Sequence, residues 1–89
     1  MAAPDTIHDA STLALRAMVW ALSEPTRANR LLDLTGLGAD ELRRSAGERS
    51  TQAAVLGFLE GYEPDLIACA AHLEVRPETL VAAHRELDQ

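Results

Sequence analysis

The chain has one cysteine, no lysine and three aromatic residues. A lone cysteine cannot close an internal disulfide, which excludes the stapled scaffolds of small secreted domains and points to a reducing, cytoplasmic setting. No uninterrupted apolar run comes near the roughly 20 residues of a membrane-spanning helix. The opening residues MAAPDTIHDA offer no basic region followed by an apolar stretch, so no signal peptide is expected. A basic excess is missing as well. The formal charge is −6, and five of those negative charges fall after Ser50, so the C-terminal half repels phosphate backbones and anionic lipid alike.

Helix formers take the place of what is missing. Alanine and leucine supply 30 of the 89 residues, whereas Val, Ile and Thr together supply 12. Ala and Leu lose little on entering a helix, while β-branched residues favour strands. The balance predicts an all-α chain. At 89 residues it has room for one core only, and no linker or repeat divides it. Residues 1–89 are therefore one domain, with residues 1–5 expected to lie outside its ordered part.

Punctuation predicts five or six short helices. The first is expected from about Asp5 or Thr6 to Leu22, with Thr6 as its cap and Ile7, Ala10, Ala14, Ala17, Met18 and Ala21 on one face. Pro25 opens the second, whose inner face is Ala28, Leu31, Leu32 and Thr35, and Gly36 ends it. A third covers about residues 39–46, with Leu42 and Ala46 inward. Ser50 or Thr51 caps the fourth, lined on one side by Val55, Phe58, Leu59 and Tyr62. Gly57 inside that helix costs about 1 kcal/mol relative to alanine and allows a neighbour to approach. The fifth runs from Pro64 to Leu73, with Leu66, Ile67, Ala70 and Leu73 apolar. Pro77 opens the sixth, whose inner face is Leu80, Ala83, His84 and Leu87.

These segments, taken in order, resemble a family of small bacterial proteins known as domain of unknown function 3572. The resemblance rests on LTGLGADELR (residues 34–43), AAVLGFLEGYEPDLIACA (residues 53–70) and VRPETLVAAHREL (residues 75–87). It spans nearly the whole chain. It implies a stand-alone, cytoplasmic, all-helical protein and carries over no catalytic residue.

Chemistry-bearing groups are sparse. CAAHLEVRPETL (residues 69–80) resembles a helix-turn-helix, in which the second helix enters the DNA major groove. Its reading end, however, offers Glu78, Thr79 and Ala82, and residues 74–88 hold four acids against two arginines, too few cations for phosphate contacts. Nucleic-acid binding is thus the alternative function rather than the leading one. Cys69 and His72, three apart on one helix, could join His84 as zinc ligands, but a packed cysteine, an exposed His72 and a hydrogen-bonded His84 account for them more simply. No metal or cofactor is expected. Arg43 and Arg44, with Arg49 nearby, form the one basic cluster and could hold a carboxylate or phosphate; Asp40, Glu41 and Glu48 around them favour local ion pairs. No nucleophile is matched to a base, so no enzyme is expected.

The first helix has apolar surface to spare. Leu13, Ala17 and Trp20 recur on a flank beyond its main stripe, and Trp20 is the sole tryptophan, a residue type enriched at interface hot spots. These three form the candidate interaction face. The leading expectation is a non-enzymatic protein–protein interaction or regulatory module, binding an unknown protein partner or a second copy of itself. A homodimer would also help to stabilise so small a core.

Overall fold

The computed structural model describes residues 9–89. Among them are six helices and no strand: α1 (Ala10–Leu22), α2 (Pro25–Thr35), α3 (Ala39–Arg44), α4 (Arg49–Glu60), α5 (Glu63–Leu73) and α6 (Pro77–Leu87). The start of α1 differs from expectation. Asp9 is the cap, with its carboxylate accepting the Thr12 amide at 3.1 Å; Thr6 and Ile7 lie outside the described residues, as do residues 1–5. Glu24 caps α2 by accepting the amides of Arg27 at 2.8 Å and Thr26 at 3.1 Å. Those bonds, Arg27's first, hold its carboxyl below the usual glutamate pKa. The stabilisation this gives is present above the ordinary glutamate range and fades as pH falls through it. At the far end of α2, Gly36 takes the left-handed conformation at φ 73°.

Helix α4 begins two to three residues earlier than its hydroxyls suggested. Glu48 is the N-cap residue, while Thr51 turns sideways and its Oγ1 donates to Ser45 Oγ at 3.0 Å. Beside it the buried Gln52 donates from Nε2 to the Ala46 carbonyl at 2.9 Å. These two bonds use polar side chains to pin the α3–α4 turn against the bundle, which is why neither is free to cap.

Helices α1, α4 and α6 pack mutually and form the centre, with α5 against all three and α2 against α1 and α4. On α1 the buried Ala10, Ala14, Ala17 and Ala21 keep the helix surface low, so its neighbours come close. Leucine fills the middle: Leu13, Leu31, Leu42, Leu56, Leu59 and Leu80 are at most 1% exposed. Each contributes about 1.5–3 kcal/mol by leaving water. Of the three aromatics only Phe58 belongs to the core; Tyr62 and Ile67, expected inward, are each about half exposed. Tyr62 instead shares Arg30 with Phe58, the guanidinium carbon lying 5.3 and 5.5 Å from the two rings. Arg30 in turn meets the buried Asp65 at 2.8 Å, joining α2 to α5.

The α5–α6 turn is closed by backbone bonds alone. The Val75 amide donates to the Ala70 carbonyl at 2.9 Å and the Glu74 amide to Ala71 at 3.1 Å, the paired pattern of a Schellman stop. That stop requires a left-handed residue, and Glu74 supplies it at φ 61° despite its side chain. Glu74→Gly removes the steric cost and is expected to stabilise the fold by about 1 kcal/mol. Thermal unfolding checks this as a rise in midpoint of roughly 4–8 °C.

Candidate functional site

The structure corrects the face expected on α1. Leu13 and Ala17 are both 0% exposed, enclosed because α1 is central and touches four other helices. Trp20 is half-buried and already has a partner within the chain. The Arg27 guanidinium stacks 3.6 Å from the centroid of its ring, and Arg27 Nη2 donates to the Trp20 carbonyl at 2.7 Å and to Ser23 Oγ at 3.1 Å. Arg27 Nε is buried with no hydrogen-bond partner, so the indole face is its principal neighbour. The residues of α1 that do reach solvent as large apolar groups are Leu15 and Val19.

The Cys69, His72 and His84 set is not assembled. Cys69 is buried, and that burial pushes its thiol up to about 11, opposed by Arg27 and Arg16. It is therefore a protonated, packed group at neutral pH. His72 is exposed. His84 sits on another helix with Nδ1 2.5 Å from Glu60 Oε2. Among the described residues no three His, Cys, Asp or Glu side chains group so as to hold a metal ion. Arg43 pairs with Asp40 across one helical turn at 3.2 Å, both well exposed. Arg44 lines a small hollow together with Glu41 and Glu48. In the helix-turn-helix-like pair, the outer surface of α6 presents Glu78, Glu86 and Arg85 near Arg76, an evenly mixed charge.

A larger concavity lies elsewhere, between the end of α2, the length of α4 and the end of α6. It is an open groove of about 640 Å³. Ala53, Ala54 and Phe58 of α4 form its floor, Leu34 one lip, and His84 and Leu87 the opposite wall. A second hollow of about 460 Å³ shares Leu34, Thr35, Ser50 and Ala54 and extends to Leu37 and Glu48. Leu34 is 65% exposed. The groove exists because small residues recur on α4 at Ser50, Ala53, Ala54 and Gly57, positions that share one helix face. At Gly57 an added Cβ would stand 3.4 Å from the His84 ring, so glycine there admits the His84–Glu60 contact. The wall is further fixed by Arg49, which donates from Nε to the Leu87 carbonyl at 3.2 Å and from Nη2 to that of Glu86 at 2.9 Å. Those carbonyls end α6 and lack intrahelical donors, so Arg49 both caps α6 and ties it to α4.

Sequence reasoning did not single out Leu34 or this face. The signal was present: Leu34 falls off the inner stripe of α2, an isolated large apolar residue among Arg30, Asp33 and solvent. The basic groups in the groove are engaged structurally. Among the described residues His84 has Glu60 as its side-chain partner, and Arg49 has the α6 carbonyls. The arrangement offers a shaped, partly apolar surface and rigid walls.

The fold defines a small all-helical protein built around one three-helix centre. The chain belongs to the family described as Protein of unknown function (DUF3572), whose family model matches residues 7–89. No curated protein and no solved structure matches it. No helix among the described residues is long and apolar enough to cross a membrane.

Proposed function

We propose that the chain is a non-enzymatic protein–protein interaction or regulatory module that receives its partner in the groove between α2, α4 and α6. The observation that carries this reading is Leu34, two-thirds exposed at the lip of a depression floored by alanine and phenylalanine. Apolar surface set in a concavity gains most from being covered, and such surface on soluble proteins marks interaction sites. The α1 face first suggested by the sequence does not serve, because Leu13 and Ala17 have no surface to give.

The test uses Leu34→Asp. With its side chain mostly in water, this variant should change folding stability by no more than about 0.5 kcal/mol. A partner recovered with the tagged wild-type chain from its native cells, identified by mass spectrometry and then purified, should bind the variant at least about tenfold more weakly, in the range of an interface anchor. Equal affinity for the two proteins would remove the groove from the interface.

A further inference from the structure

Resting on that reading of the groove, we propose that its occupant is a basic amphipathic helix of a partner protein. The shape favours a helix over an extended peptide. Every element around the groove is helical, so no strand edge offers backbone donors and acceptors. An extended segment laid on Ala53, Ala54 and Phe58 would leave its own N–H and C=O groups unpaired, whereas a helix satisfies them internally. A polyproline ligand needs an aromatic-lined groove, and here Phe58 is 94% covered by the chain itself. The floor runs along α4, twelve residues long, or about 18 Å, the length of a three-turn helix.

The charges favour a cationic partner. The two basic side chains in the main groove are committed within the chain, Arg49 to the carbonyls of Glu86 and Leu87 and His84 to Glu60. The carboxylates at its borders are not. Glu48 lines the extension and Asp88 the main groove, both beside the start of α4, where Arg49 reaches the end of α6, and neither has an ion-pair partner among the described residues. The chain as a whole carries −6. A second copy would bring the same excess against Glu48 and Asp88, which opposes self-association through this face. Lysine or arginine near one end of an apolar helix face would meet these carboxylates while leucine-sized side chains enter beside Leu34.

The experiment uses the full chain and two fluorescein-labelled helical peptides of about 14 residues. One carries leucine on one face and lysine on the other; the second has glutamate in place of lysine. Anisotropy titration should show saturable binding of the Leu/Lys peptide and none of the Leu/Glu peptide. Leu34→Glu, its helicity checked by circular dichroism, should weaken binding at least about tenfold, although its added negative charge would strengthen mere electrostatic adhesion. Glu48→Gln with Asp88→Asn should weaken it about threefold to tenfold and flatten its salt dependence. Unchanged or tighter binding by Leu34→Glu would overturn both the inference and the groove itself. Binding of the two peptides with equal strength, lost in Leu34→Glu, would leave the groove standing and overturn the basic partner. Failure of both peptides to bind, or a dimer in sedimentation that Leu34→Glu dissociates, would also overturn the proposal.

Discussion

Leu13→Ala is expected to lower the free energy of unfolding by about 3 kcal/mol, within the 2–5 kcal/mol seen for buried leucines. Leu13 is fully buried on a helix that packs against α4 and α6, and the buried positions one turn either side on α1, Ala10 and Ala17, are alanines. Three carbons, one methine and two methyls, would vanish from a site whose neighbours are held on several sides, so little collapse is available to refill the space. A domain of this size has a total stability of about 5–15 kcal/mol, so the loss is a large fraction of it. Urea unfolding should show the midpoint falling with an unchanged slope. A change below about 0.5 kcal/mol is what a surface contact residue would give, and it would return Leu13 to the interaction face that the sequence pattern suggested.

Trp20→Ala is the second large effect, expected at about 2–4 kcal/mol. The indole packs against the core at the junction of α1 and α2 and receives the Arg27 guanidinium on its face. Removing it strips contact area and leaves Arg27 Nε, which has no hydrogen-bond partner, facing a void. Arg27→Ala alone should cost less, since the Trp20 carbonyl still accepts from Ser23 Oγ at 2.6 Å. The double variant should be less destabilised than the sum of the singles by about 0.5–2 kcal/mol. Strict additivity in that cycle would show that the stack contributes nothing beyond separate burial.

The fold was largely legible because its signals are local. Proline at the starts of α2 and α6 and Gly36 after α2 act through backbone geometry that no neighbour needs to complete. The Ala and Leu stripes of α1 and α6 are periodic over three turns. Where reading failed, a competing hydrogen bond within a few residues of the chain had won. Thr51 has the right chemistry for a cap but is drawn to Ser45, and α1 as described is capped by Asp9. Glu74 takes a left-handed conformation usually given to glycine because the Ala70 and Ala71 carbonyls demand that stop.

The candidate site was much less legible, for a physical reason. A broad apolar surface on one helix says that several neighbours or one partner must cover it, and periodicity alone does not distinguish the two. On α1 the cover is the chain's own α2, α4, α5 and α6. Conversely, a groove is made by what three helices leave between them, and only their mutual placement reveals it. Leu34 looks like a stray apolar residue on a polar face until Ala53, Ala54 and Leu87 are seen beside it. Gly57 was legible as a close approach, and the approach is that of His84.

The most direct test of the central claim is the affinity of the purified partner for two variants of matched chemistry, Leu34→Asp in the groove and Val19→Asp on the solvent side of α1. Both positions are mostly exposed, so both proteins should fold with near wild-type stability. The groove account predicts at least about a tenfold loss for Leu34→Asp and no change for Val19→Asp. Full affinity in Leu34→Asp with loss in Val19→Asp would contradict it and place the interface on α1 after all.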